Sequence, residues 1–454
     1  MRTFPRLTGN VVLLAVFLLC VSTGSAMGAG FALIEQSVSG LGNAYAGGSA
    51  AAEDATTIFF NPAGMTRLDG QQVVAGFHIV IPSAKFTNEG STHVLQSVTR
   101  APLLGNNGGD AGVTKGIPNL YYSVKLSPRL VLGLGVNAPF GLATDYESGW
   151  VGRYHALKSD VLNININPSV AYKLTDQLSA GAGISVQYLK AKLSNAIDFG
   201  TLDALGKLGL PAGALRLTPQ LSDGSVKMEG DSWGVGYNLG LLYEFTNSTR
   251  MGVAYRSRID HTLEGDATFS NVPAGLSPVP VFRNTGVKAD VTLPDSLSVS
   301  LFHSITPQWM VMADFTWTNW SLFKELRVKF DNPNQPDSVT TELWQDSYRY
   351  SLGLSYVPDS SWIFRTGIAY DTAAVADAEH RTPRIPDADR FWIALGAGYK
   401  ISKALSIDIG YAHLFISDEK VNKTPTGEDA VRGGLVGSYD NNINIVSAQI
   451  SLKF

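Results

Sequence analysis

Between Val161 and Leu174 the chain reads VLNININPSVAYKL. Leu162, Ile164, Ile166, Val170, Tyr172 and Leu174 share one face, and Asn163, Asn165, Asn167, Ser169, Ala171 and Lys173 share the other. Strands of soluble proteins run about 5–6 residues, whereas a tilted strand that crosses a bilayer needs about 9–11. The alternation here lasts thirteen residues. It recurs in LSIDIGYAHLF from Leu405, WMVMADFTW from Trp309 and WIFRTGIAY from Trp362. In each, the face that carries Asp408, Asp314 or Arg365 also holds small residues. A soluble sandwich would load its outer faces with charge, and charged residues make up only 16% of this chain. Lipid tolerates no unpaired sheet edge, so the pattern predicts a closed all-β barrel with hydrocarbon outside and a polar or mixed lumen. Trp and Tyr at the strand ends suit the interfacial belts of such a barrel.

Fourteen strands are expected, near 71–81, 117–126, 130–146, 160–174, 178–193, 230–245, 249–264, 287–304, 308–323, 342–357, 361–375, 389–400, 404–417 and 442–454. Short turns SPR, TDQ, TNS, TPQ, PDS and SKA alternate with long connections, as periplasmic turns and external loops do in antiparallel membrane barrels. The last strand sets Val446, Ala448, Ile450, Leu452 and the terminal Phe454 against Ser447, Gln449, Ser451 and Lys453. That ending is similar to the signal recognised by the outer-membrane assembly machinery of Gram-negative bacteria.

The first residues read as a secretory leader over 1–28: basic Arg2 and Arg6, an apolar run from Val11 to Val21, then small residues for cleavage. The only cysteine, Cys20, falls inside it, so the mature chain is expected to hold no thiol, disulfide or cysteine metal site. Removing the leader takes two arginines from 35 basic residues and nothing from 39 acidic ones, leaving a balance of −6. That balance argues against nucleic acid as a partner.

Residues 29–70 do not alternate. They are rich in Gly, Ala and Ser, carry Phe31, Leu33, Tyr45, Phe59, Phe60 and Met65, and turn sharply at Asn61-Pro62-Ala63. A compact plug inside the lumen is expected, since irregular backbone is permitted there, with the barrel itself over 71–454.

Five blocks then resemble one family in its order: AGFALIEQSVSGLGNAYAG with the NPAGM turn, GLATDYESGWVGRY, LPDSLSVSLFHSITPQWMVMADFTWTNWSLF, FRTGIAYDTAAV, and RIPDADRFWIALGAGY. The mature chain resembles the FadL/TodX outer-membrane transporters of long-chain fatty acids and, in some members, aromatic hydrocarbons. The resemblance implies a monomeric fourteen-stranded barrel set in outer-membrane lipid and lipopolysaccharide. It also implies a hatch containing Asn61, Pro62 and Ala63, and a kinked third strand around Ala138, Pro139, Phe140 and Gly141 through which an apolar ligand slides sideways. Proline cannot donate a ladder hydrogen bond, so Pro139 with Gly141 reads either as a deliberately broken pairing or as a bulge that adjusts curvature. Pro168 in the next strand allows the same two readings.

The segment TLDALGKLGLPAGALRL from Thr201 is apolar for a loop and suggests two short helices split by Pro211. Leu205, Leu208, Leu210 and Leu215, with Leu202 and Leu217, would present a capture groove opposite NVPAGLSPVPVF from Asn271. The other reading is that these loops pack on each other and cap the barrel. For a fatty-acid carboxylate, strand phase offers Arg256, Arg258 and Arg365 as inward candidates. Pairing with Asp314, Asp408, Glu53 or Asp54 is their alternative role.

No HExxH or P-loop occurs, and no cofactor or metal is expected. The one GxSxG match, GDSWG from Gly230, lacks the strand–turn–helix setting a nucleophile elbow needs. An enzyme is therefore not expected. A general porin remains as a rival, and would need a lumen without a plug.

Overall fold

The computed structural model describes residues 30–454. The expected leader, with Cys20, lies outside the described residues. One antiparallel sheet of twenty segments is built by the rest. They are β1 (Gln71–Asn88), β2 (Lys115–Lys125), β3 (Leu130–Asn137), β4 (Gly141–Asp145), β5 (Lys158–Lys173), β6 (Leu178–Asp198) and β7 (Asp223–Glu244). Next come β8 (Thr249–Arg256), β9 (Ile259–Ser270), β10 (Thr285–Leu293), β11 (Ser296–Ser304), β12 (Trp309–Thr318), β13 (Glu325–Phe330) and β14 (Ser338–Thr341). The last are β15 (Ser347–Tyr356), β16 (Trp362–Asp371), β17 (Arg390–Lys400), β18 (Leu405–Ile416), β19 (Glu419–Lys423) and β20 (Leu435–Lys453). Six of the twenty, namely β4, β9, β10, β13, β14 and β19, prolong a neighbour across a break, which leaves fourteen crossing strands. The barrel closes because β1 pairs with β2 on one side and with β20 on the other.

All six short turns use one device. Ser127, Thr175, Thr246, Thr306, Asp359 and Ser402 each accept, through a side-chain oxygen, the amide three residues on at 3.0–3.2 Å. Hydroxyl and carboxylate side chains that mimic a backbone turn explain why such triplets reverse the chain. The faces assigned to lipid are bare of protein: Ile166, Val170 and Tyr172 in β5, and Trp233, Val235, Tyr237, Leu239, Leu241 and Tyr243 in β7, are exposed. The opposite faces, including Asn163, Asn165, Asn167 and Ser169, are buried.

At the external end several strands run further than the alternation indicated. β6 continues to Asp198, and β7 begins at Asp223. There the amphipathic sense reverses: β6 and β7 keep one register and change which residues face inward by sequence alone, whereas the β8–β9 strand turns over through a one-residue slip. Asn238 of β7 faces Arg256, while Asp231 faces Glu264, so seven steps on β7 oppose eight on β8 and β9. A slip of one residue turns every later side chain to the other face. Arg258, expected in the lumen from the phase of Arg256, is consequently exposed on the outside. The break is held by Ser257, which exchanges hydrogen bonds with the backbone of Tyr237 at 2.9 Å.

Residues 30–70 fold against the inner wall as three short helices, α1 (Val38–Gly42), α2 (Gly48–Ala51) and α3 (Thr57–Phe60), and a 3-10 turn over Pro62–Arg67. Asn61 caps that turn by accepting from Ala63 N at 3.0 Å, and Pro62 begins it, where a missing N–H costs nothing. The Asn61 amide also donates to Ser49 O at 2.7 Å and to Leu241 O of β7 at 2.9 Å. Only glycine fits opposite: a Cβ on Gly240 would lie 1.9 Å from Asn61 Oδ1.

Candidate functional site

The wall is interrupted at Ala138-Pro139-Phe140, between β3 and β4. Toward β5 pairing resumes one residue out of step, Asn137 facing Asn165 and Gly141 facing Leu162. This is a bulge of the kind that bends a strand. Toward β2 pairing ends where Leu120 faces Val136, and Lys115–Asn119 pair with β1 alone. Above this seam two isolated bridges, Gly112 to Thr144 and Asn106 to Trp150, rejoin the wall. Pro168 leaves a lesser mark: it and Asn167 drop out of the pairing with β6, and the register on either side is unchanged.

Backbone groups freed by the bulge still need partners, and the amino-terminal segment supplies them. Leu33 N donates to Pro139 O at 2.8 Å, Gly141 N to Phe31 O at 2.9 Å, and Gln36 Nε2 to Ala138 O at 2.8 Å. The Phe31 ring sits among Phe140, Trp320, Phe323 and Trp344, with centroids 4.7–6.1 Å away.

Two cavities adjoin this stretch. The upper, of about 90 Å³, is walled by apolar side chains such as Leu189, Leu193, Met228, Leu263 and Val291, and is bordered by Phe31, Glu342 and Arg384. The lower, of about 170 Å³, lies beside Pro139 and Phe140 and is lined by Tyr45, Phe59, Phe60 and polar groups including Arg256 and Asn238. Residues 31–35 line both, Phe31 the upper and Ala32–Glu35 the lower.

The lumen arginines separate by partner. Arg365 is neutralised by Glu53 of the amino-terminal segment and Asp408 of β18, both at 2.8 Å, so its predicted alternative role is the one observed. Arg349 pairs with Asp371 at 2.5 Å. Arg250 donates to Ala50 O and Ala51 O at 2.6 Å. Arg256 makes no ion pair among the described residues; it donates to Phe59 O at 2.8 Å and Ser185 Oγ at 3.2 Å.

Arg384 was not among the candidates, because it lies in a loop where strand phase assigns no direction. It is buried, and its contacts are long, 3.3–3.5 Å, and all to neutral oxygens of Lys158, Ser159, Ser194 and Asn195. Burial pulls its guanidinium down to about 10, which leaves it charged. Glu342, across the same cavity, accepts from Trp344 Nε1 at 2.9 Å, and burial pushes its carboxyl up to about 8.

The external apolar loop folds differently from expectation. One helix forms, over Phe199–Ala204, and the second does not. Gly206, Gly209 and Gly213 take positive φ angles, and Asp203 accepts the amides of Leu215 and Leu217 at 3.2 and 3.1 Å, folding the segment back on the helix. Leu208 is fully buried with Phe199, Leu276 and Val279; Leu210 and Leu215 pack against that cluster, and Leu205 is exposed. GDSWG lies within β7, with no helix after Ser232.

The family described as outer membrane protein transport protein (OMPP1/FadL/TodX) matches residues 18–454. The chain belongs to this family. A long-chain fatty acid transport protein of Escherichia coli O6:H1 is 33% identical over 412 residues, which cover 88% of this chain and 90% of that protein. Outer membrane protein P1 of Haemophilus influenzae is 34% identical over 422 residues, 89% and 90% of the two chains. Among solved structures, a FadL homologue of Pseudomonas aeruginosa shares the fold with a TM-score of 0.84 at 24% identity, covering 94% of this chain and 100% of its own. The Pseudomonas putida toluene transporter TodX matches at 0.65 and 20% identity, over 88% and 94% of the two chains. FadL/TodX proteins are transport channels of the outer membrane, not enzymes, and this chain is an outer-membrane barrel of that family.

Proposed function

We propose that this FadL/TodX protein admits long-chain fatty acids passively through the outer membrane. Cargo is captured at the external loops around Leu205, enters the upper cavity, passes the hatch at residues 31–35, and leaves sideways at the Pro139–Phe140 kink. Each CH₂ buried gains roughly 0.8 kcal/mol, so a route walled by apolar side chains keeps an acyl chain from re-entering water, and the concentration difference suffices to drive it.

The observation that carries the reading is Arg384, a buried cation at the border of an apolar cavity with no carboxylate in ion-pair range among the described residues. Charge-assisted hydrogen bonds are the strong ones, and a fatty acid supplies the missing anion together with the apolar chain. An aromatic hydrocarbon leaves the guanidinium unmatched.

The test is equilibrium binding of palmitate, hexadecanol and toluene to the detergent-solubilised protein and to Arg384→Gln. A hydrogen bond to a charged group contributes about 1.5–3 kcal/mol, so the variant is expected to bind palmitate roughly 10- to 150-fold more weakly, with hexadecanol little changed. Wild-type protein that binds toluene and ignores palmitate would establish the aromatic reading instead.

A further inference from the structure

The lower cavity contains a second guanidinium of the same character. We infer that Arg256 and Asn238 form a second headgroup station, which takes the cargo carboxylate after Arg384 and holds it while the acyl tail enters the kink. This inference rests on the fatty-acid reading above.

Asn238 and Arg256 are directly opposed cross-strand partners on β7 and β8, on the inward face. Asn238 is buried to 2% exposure. Its Oδ1 accepts from Asn167 Nδ2 at 2.8 Å, while its Nδ2 has no acceptor. The Arg256 guanidinium lies 4.3 Å over the Phe59 ring, which fixes its plane. One arm reaches Phe59 O and another reaches Ser185 Oγ, and no carboxylate among the described residues is in range. Arg250, six residues earlier on the same face, shows the satisfied alternative, with two backbone carbonyls at 2.6 Å.

Both donors border a cavity that Phe59, Phe60, Pro139 and Phe140 make largely apolar. A buried donor left unmatched, as Asn238 Nδ2 is, is costly, and one carboxylate can accept from that amide and from the guanidinium, whose present partners are neutral oxygens, together. The buried Glu35 carboxyl lines the same cavity, and its Oε2 meets no donor among the described residues.

Two readouts on the full-length protein separate the stations: equilibrium palmitate binding, and palmitate and hexadecanol uptake by cells that produce it. Arg256→Gln should keep the palmitate site at Arg384 and lose the station below it. Palmitate uptake should slow about tenfold, the factor expected for one lost hydrogen bond, with hexadecanol uptake unchanged. Arg256→Lys should restore palmitate uptake, and Asn238→Leu, which leaves the Phe59 contact alone, should reproduce the split between the two cargoes. Equal slowing of both cargoes would reduce Arg256 to a structural prop of the hatch, and normal palmitate uptake in both Arg256→Gln and Asn238→Leu would overturn the station. If the fatty-acid reading itself fails, the wild-type protein will already show no preference for palmitate over hexadecanol.

Discussion

β8 turns Met251, Val253 and Tyr255 outward and Arg250, Gly252 and Ala254 inward; past Ser257, β9 turns Asp260, Thr262 and Glu264 outward and Ile259, His261 and Leu263 inward. The first arrangement suits a wall with hydrocarbon outside, and the second suits one with water outside and an apolar interior. β10 and β11 change sense together with them at Pro294: Val287 and Leu293 are buried on β10, and Ser300 on β11. The barrel is thus a membrane cylinder carrying an extension that is amphipathic in the opposite sense, and the upper cavity is the interior of that extension. The difference teaches that two routes give one reversal: an extra residue at the rim turns β9 over because strand periodicity is two, while β6 and β7 keep their register and exchange polar for apolar residues on the inward face.

The strongest way to break this comparison is at the bulge of the third crossing strand. Deleting Phe140 puts β4 back in step with β5 and continues the phase of β3. Near-complete loss of palmitate uptake is expected, with the folded barrel still recognised by its heat-dependent migration on gels. Undiminished uptake would show that cargo does not leave through the bulge.

A pair of substitutions on outward faces sharpens it. Leu239→Arg, within the lipid band of β7, should cost about 2–4 kcal/mol of folding free energy, as for lipid-facing arginine near the bilayer midplane. Thr262→Arg faces water beside Asp290 and should stay within about 0.5 kcal/mol of wild type. Urea titration of both in lipid vesicles measures the contrast; equal penalties would place β9 in the membrane.

The smallest effect concerns pH. The Glu342 carboxyl titrates at about 8 because burial outweighs the charges of Lys423 and Arg384, while Glu428 pushes in the same direction as burial. Below that pH Glu342 is neutral and does not offset the charge of Arg384, while Glu229, which also lines the cavity, is paired with Lys190, Lys192 and Lys227. As pH rises through 8, Glu342 ionises and repels an incoming carboxylate. Palmitate affinity should fall several-fold over that range, and Glu342→Gln should flatten the profile in the same binding assay.

Most of the membrane cylinder was legible in the sequence, since lipid on one face enforces alternation and each short turn announces itself with Ser, Thr or Asp. The extension was less so. Its strands also alternate, yet the slip at Ser257 has no loud signal, and phase carried through it assigned Arg258 to the wrong side. Arg365 was identified as inward, while its counter-ions Glu53 and Asp408 lie 312 and 43 residues away along the chain, and only tertiary structure brings them together. The external loop misled because leucine spacing suggested helix where Gly206, Gly209 and Gly213 bend the backbone. Arg384 escaped for want of any periodic frame around it.

The seam between β1 and β20 runs from Gln72 opposite Lys453 to Asn88 opposite Gly437, and Phe454 N reaches Gln71 O beyond it at 2.9 Å. The oldest strand of the barrel is therefore zipped by the youngest. Until β20 pairs with it, β1 has a bare edge, the state most exposed to wrong partners. The cylinder is sealed only when β20 reaches β1, so every other pairing can form on an open ribbon.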